Sequence, residues 1–410
     1  MKNKLKKNAQ PDSESGAYTR RKFIAAAGAA TTVAAMAPTL LADDVPSELG
    51  APMRPYGERS PYEKSVRISN SPLKTTGASL SPLQDLNGTI TPSALHYERH
   101  HSGVPAIDPE KHQLLVHGLV DRPLIFSIAD LKRLPSVSRT HFLECAGNST
   151  GEHLGQLGAT PQLAAGLLSC SEWTGVSVTT LFKEVGVKPQ AKWVLAEGAD
   201  AARLARSVPM AKMMDDAMVA YSQNGEAVRP EQGYPLRLIL PGWEGNINIK
   251  WLHRMELIDQ PAMTRDEAAF YTDLLPSGKA RQFGVMMEAK SIVTRPSGGQ
   301  HLPAPGFYEI TGVAWSGRAT VKAVEVSTDG GISWKLATLQ QPVLKHSVVR
   351  FRMPWTWDGS PATIGSRCID ESGYVQPTSR ELVEVRGLAA YHHHNGIKWW
   401  NLQANGDLHA

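Results

Sequence analysis

Between Leu95 and about Pro261 the apolar residues fall into short runs of two alternating textures. Leu114 to Val116, Trp193 to Ala196 and Leu236 to Leu240 read as strands, whereas Ile128 to Leu134 and Val178 to Val185 carry helical spacing. This alternation predicts a mixed α and β domain over 93–275. After a low-periodicity linker containing Pro276, Ser277 and Gly278, the texture changes. The runs become short, β-rich and turn-separated: Tyr308 to Val313, Thr320 to Ser327, the turn Asp329-Gly330-Gly331, then Ile332 to Thr338 and Val348 to Met353. That pattern predicts a β-sandwich of immunoglobulin-like type over 285–390. Residues 43–92, rich in Pro, Ser and Gly, predict an extended arm that wraps the body, and 391–410 read as a C-terminal tail. The fold class expected is therefore α+β.

The first 42 residues have a different pattern. Thr19-Arg20-Arg21-Lys22-Phe23-Ile24 is a twin-arginine export motif, and the apolar run from Ala25 to Ala37 is too short and too Ala-rich to span a membrane. Cleavage is expected between Ala37 and Ala42, which predicts a periplasmic protein without stable membrane insertion; an N-terminal anchor is the alternative. The twin-arginine route carries folded proteins, as suits a chain loaded with a cofactor before it leaves.

With 410 residues, 41% of them hydrophobic, the chain can build more than one core. Its net charge of +4 is mild and its basic residues are scattered, so nothing calls for nucleic acid. Three cysteines, Cys145, Cys170 and Cys368, make no disulfide framework. Two buried thiols are favoured at Cys170 and Cys368, with a bridge between them left open. No Cys-x-x-Cys-His is present, so no c-type haem is expected in this chain, and electrons it collects must leave to another protein.

The most telling stretch is His141-Phe142-Leu143-Glu144-Cys145-Ala146-Gly147-Asn148-Ser149, a β-like run that delivers a cysteine into a small-residue turn. Gly147 beside it leaves the sulfur open to a large ligand, and a thiolate there suits a soft metal. Taken alone, Cys145 reads more simply as a small buried residue. Arg237 and Lys250 could each be a surface charge, Asp200 a loop acid and His101 a satisfied polar residue.

The company these residues keep changes that reading. Glu144-Cys145-Ala146-Gly147-Asn148 resembles the cysteine loop of the sulfite oxidase family of molybdopterin enzymes. Tyr97-Glu98-Arg99-His100-His101 resembles its aromatic-x-Arg-x-His loop. Gly233 to Gly242, continuing to Asn248-Ile249-Lys250-Trp251, resembles its pterin-binding strand and loop. The resemblance covers roughly 80–390 and implies a molybdopterin domain followed by a dimerisation sandwich. It implies that Cys145 ligates molybdenum, that Tyr97, Arg99, His101, Asp200, Arg237, Asn248 and Lys250 hold the cofactor, and that Arg99, Tyr271 and Arg386 face an anionic substrate. The reaction implied is oxygen-atom transfer to sulfur, with electrons passing to a c-type cytochrome and the chain paired as a homodimer.

Two positions depart from the sulfite oxidase pattern: Thr150 stands where relatives carry an arginine, and the Leu163 region replaces a pocket tryptophan. Leu168-Ser169-Cys170-Ser171-Glu172-Trp173-Thr174-Gly175-Val176 and Tyr391-His392-His393-His394-Asn395-Gly396-Ile397-Lys398-Trp399-Trp400 are similar to the sulfane dehydrogenase branch, the Sox C subunits. That branch implies sulfur borne on a carrier protein as substrate. Free sulfite is the alternative, and an exported binding protein without cofactor is the non-enzymatic one. The three consecutive histidines cannot all face one ion and are expected at a surface or interface.

Overall fold

The computed structural model describes residues 49–69 and 76–410; the export motif and its cleavage region lie outside them. Residues 49–63 contain neither helix nor strand, and the chain from Lys64 onward forms one unit. Part of the expected arm is regular there: Ile68–Ser69 and Gly77–Leu80 pair antiparallel, and Gly77–Leu80 in turn pairs with Glu98–His100.

Local rules explain the helices of the first domain. Ile128–Arg133 starts at a capping box, in which the Asp130 N–H donates to Ser127 Oγ and the Ser127 N–H donates to the Asp130 carboxylate. Val178–Val185 buries Val178, Leu181, Phe182 and Val185, one face of a helix, and ends at Gly186 with φ 69°. Two sheets flank these helices. One runs Glu226–Ala227, Met218–Gln223, Leu168–Ser177 and Ser136–Glu144, with Arg237–Ile239 also paired to Met218–Gln223. The other runs Leu124–Ser127, Gln113–Gly118, Leu252–Ile258, Trp193–Gly198 and Ala205–Pro209, in which Gln113–Gly118 and Leu252–Ile258 are parallel. A core around Leu114, Leu181, Val194, Leu238 and Leu257 lies between them.

The second domain is the expected sandwich. One sheet runs Lys290–Arg295, Gly306–Trp315, Val349–Trp357 and Thr338–Leu339. The other runs Lys335–Leu336, Val321–Ser327, Ala362–Asp370, Trp399–Leu402 and Leu408–His409. The run Ile332 to Thr338 is therefore not one strand. The Ser333 N–H and hydroxyl both donate to the Asp329 carboxylate, which holds the turn open through Ser333 and leaves Ile332 exposed. The expected tail is also corrected, because Trp399–Leu402 and Leu408–His409 close the second sheet.

The two domains share a core: Phe142, Leu168 and Cys170 of the first sit in one apolar cluster with Trp315, Phe351 and Trp400 of the second. All three cysteines are free and buried, which settles the thiol reading. No helix among the described residues is long and apolar enough to cross a membrane.

Candidate active site

The strand Ser136–Glu144 delivers Cys145 to the floor of a cleft partly open to solvent. Tyr97, Arg99 and His101 reach the cleft from the Glu98–His100 strand and its ends, Asp200 from the end of Trp193–Gly198, and Arg237, Asn248 and Lys250 from the Arg237–Ile239 strand and the turn after it. Tyr271 completes the wall. A Cβ on Gly245 would lie 2.6 Å from the Tyr97 hydroxyl and 3.3 Å from Cys145 Cα, so only glycine lets that turn pass against the cysteine.

Arg386 is the exception. It ends the Ser379–Arg386 helix and lines a neighbouring cavity with Arg281, Trp243 and Met286, where its guanidinium donates to the His393 carbonyl at 2.9 Å.

Burial sets the chemistry of the cleft. It raises the thiol pKa of Cys145 against a backbone N–H contact from Gly147 and the charge of Arg99, which lower it. It raises the Tyr97 and Tyr271 phenols, helped by the nearby Cys145, so both remain protonated donors. It pushes His101 down to about 4, with Arg99 adding to the effect, and the neutral imidazole lies 3.2 Å from the Tyr271 hydroxyl. Burial brings Lys250 to about 7, the charge of Arg237 contributing, and Arg237 itself to about 10.

The donor set can be tested against molybdopterin, a large polar group with a phosphate. Arg237 donates to the carbonyls of Gln232 and Asn248 while its buried Nε has no partner. His96, which sequence reasoning passed over, lines the cleft with a buried Nε2 that also lacks a partner. Lys250 spends two contacts on the carbonyls of Arg99 and Glu231 and keeps one proton for a ligand. Among the described residues no three His, Cys, Asp or Glu side chains gather as metal ligands. A single thiol under unsatisfied donors fits a metal whose other ligands come from an organic cofactor and whose charge would favour the thiolate. Asn248 lines the cleft and also shapes the turn: its side chain accepts from the Leu240 N–H and donates to the carbonyls of Trp243 and Glu244.

Behind the cysteine lies a buried polar network that no local motif announces. Glu144 accepts from Asn148 and from the Trp315 indole, and Lys290 of the sandwich stands 3.5 Å away. Lys290 also donates to Ser149 Oγ and to the His394 carbonyl. Arg206 pairs with Glu244 at 3.1 Å and lies over the Tyr271 ring, 4.9 Å from its centroid. Glu244 takes a second contact from His393 at 2.7 Å. Thr150, two residues beyond Asn148, donates to the Gly147 carbonyl at 2.9 Å.

The histidine triplet is buried, contrary to the surface or interface expectation, and each ring has its own partner. His392 meets Asp273, His393 meets Glu244, and His394 shares a hydrogen bond with His153. The His393 N–H donates to the Ala146 carbonyl, so the triplet braces the cysteine loop directly.

Two buried histidines, His141 and His394, carry a pH dependence. Burial holds His141 and His394 near 3, with His346 charge adding at the first and Lys290 charge at the second. A folded pKa below the unfolded value means that stability is full above about 6.5 and is lost as pH falls toward 3, because only the unfolded chain takes up the proton. Lowering the pH from 6.5 to 5.5 should cost roughly 1 kcal/mol per histidine. Urea unfolding at the two pH values checks this, and a flat profile in a His394→Gln, His141→Gln double variant is expected for that share.

Comparison with known proteins agrees with this geometry. The oxidoreductase molybdopterin binding domain matches residues 101–265, and the Mo-co oxidoreductase dimerisation domain matches 281–399. The mitochondrial sulfite oxidase of Drosophila melanogaster is 30% identical over 337 residues, covering 74% of this chain and 58% of that protein. The NADH nitrate reductase of Ulva prolifera is 27% identical, over 66% of this chain and 34% of its own length. The chain thus spans little more than half, or less, of these two relatives. The crystal structure of the sulfane dehydrogenase SoxCD from Paracoccus pantotrophus superposes with a TM-score of 0.88 at 40% identity, covering 91% of this chain and 98% of that one. With a single thiol in a cleft lined by polar side chains and a sandwich sharing its core, the chain belongs to the sulfite oxidase family of molybdopterin oxidoreductases, in its sulfane dehydrogenase branch.

Proposed function

We propose that the chain is the molybdenum subunit of a periplasmic enzyme, exported by the twin-arginine route, that oxidises a sulfane sulfur on a carrier protein and passes the electrons to a c-type cytochrome. The observation that carries this reading is the Cys145 thiol placed in one cleft with Arg99, His101 and Tyr271, in a chain 40% identical to a sulfane dehydrogenase. The homodimer would form through the sandwich.

Molybdopterin would be held by Cys145 as metal ligand and by Tyr97, His101, Asp200, Arg237 and Lys250 around the pterin and phosphate. When bound, it supplies two-electron redox chemistry at the substrate sulfur. The chain does the rest. Arg99 provides a fixed positive charge for an anionic sulfur group. Tyr271 stays protonated and can donate to a substrate oxygen, with His101 setting its direction and Arg206 holding its ring. A phosphate next to Lys250 favours its charged form and so reverses the effect of burial. Arg386, outside the cleft, keeps the His393 carbonyl in place and acts on the site through that contact.

Carrier-bound sulfane is preferred to free sulfite because Thr150, a short neutral side chain, stands where the resemblance to sulfite oxidases expects an arginine. Thr150 itself does not line the cleft, and its hydroxyl turns to the Gly147 carbonyl. Steady-state turnover with a cytochrome acceptor decides between them. Faster turnover of carrier-bound sulfane than of sulfite supports the proposal, turnover of sulfite alone supports a sulfite dehydrogenase, and folded protein lacking both molybdenum and pterin supports a binding protein.

Within the cleft, Arg99→Gln should raise KM or lower kcat about tenfold or more while molybdenum content stays near that of the parent. Arg237→Ala should instead lower molybdenum and pterin content, because it removes a buried donor from the pterin side. Equal loss of metal in both variants would defeat this division of labour.

A further inference from the structure

The sandwich carries a second concentration of positive charge, remote in sequence from the cysteine loop. Arg295, Arg350 and Arg352 line a cleft with about 760 Å³ of space, together with Glu309, Thr311 and Asn87. Strand register explains the arrangement: Arg295 is opposite Thr311, Thr311 is opposite Arg352, and Arg350 lies two residues along on the same face. Arg350 is 9% exposed. Its Nε donates to the Gly88 carbonyl, and Arg295 Nε donates to the Gln84 carbonyl at 2.8 Å. Among the described residues none of the three arginines forms an ion pair, although Glu309 stands on the same wall.

Burial, with the like charges of Arg352 and Arg295, lowers Arg350 to about 10. A buried guanidinium beside two others is an unfavourable arrangement until an anion neutralises it. Three arginines against one glutamate leave two positive charges on the wall, the charge of a dianion. The threonine hydroxyl and asparagine amide add neutral donors, which suits a tetrahedral oxyanion better than an apolar or flat ligand.

We propose that this cleft binds a doubly charged tetrahedral oxyanion, of the sulfate or phosphate type, at a site separate from the cysteine cleft. The bound anion ties the segment around Gly88 to the strands Lys290–Arg295 and Val349–Trp357.

The test is calorimetric titration of the molybdenum-loaded, full-length protein with sodium sulfate and with sodium phosphate, at constant ionic strength set by chloride, with acetate as the monovalent control. The parent should show dianion binding that acetate does not reproduce. Arg352→Gln, at an exposed position, and Arg350→Gln should each weaken that binding at least tenfold, while molybdenum content and turnover are unchanged. A preference for one dianion identifies the natural source. The proposal is overturned if the parent shows no dianion binding, or if both variants bind sulfate and phosphate as the parent does. It is equally overturned if the variants leave anion affinity intact but shift the sedimentation mass, for then the arginines meet a carboxylate of a second copy.

Discussion

Cys145→Ser is expected to give a folded protein with little molybdenum and turnover reduced by more than about 100-fold, beyond the roughly 10–100-fold typical when a residue supporting a ligand is removed. A serine hydroxyl keeps the volume and can keep the Gly147 N–H contact that the thiol makes, so the cysteine turn has no reason to move. Unfolding stability should change by only about 1 kcal/mol. What is lost is a soft, polarisable anion: the hydroxyl ionises far less readily than a thiol and is a poorer ligand for a soft metal. Metal analysis, near-ultraviolet circular dichroism and turnover on one sample separate the two effects. Parent-like activity and molybdenum content in this variant would remove Cys145 as the ligand.

Lys290→Met should produce the largest loss of stability, about 3–5 kcal/mol, because it strands a buried carboxylate. Lys290 is 4% exposed and Glu144 2% exposed, and Lys290 is the cation nearest to that carboxylate, with Ser149 and the His394 carbonyl also dependent on it. Methionine fills the volume without supplying a charge. The double variant Lys290→Met, Glu144→Gln should recover a good part of the loss, since neither charge is then left alone. A single variant as stable as the parent would show that the pair contributes nothing to the fold. The cysteine loop should loosen as well, so molybdenum content is expected to fall along with the urea midpoint.

The residues readable from sequence are those whose chemistry is packed into short contiguous motifs. Cys145 with its small-residue turn, the Tyr97 to His101 stretch and the Arg237 to Lys250 stretch each carry a local signature, and the structure brings all three to one cleft. The helices Ile128–Arg133 and Val178–Val185 are legible for the same reason, since their apolar spacing is local. The network behind the cysteine was not. Glu244 and His393 are separated by 149 residues and Lys290 and Ser149 by 141, and no periodicity encodes such a pairing. Asn248 shows a second role that its motif does not announce, because its amide also anchors the surrounding backbone. The strand Trp399–Leu402 has no legible signature, because Trp-Trp-Asn-Leu shows no clear alternation of apolar and polar positions.

The bracing of the cysteine loop by residues 393–400 bears on the order in which the molecule folds. The His393 N–H closes on Ala146, Lys398 closes on Glu152, and Trp400 packs into the core shared by both domains. These contacts join segments about 250 residues apart, and contacts of such long range form late and slowly. The first domain by itself therefore lacks a finished cleft, and the cleft is a late product of folding that belongs to neither domain alone.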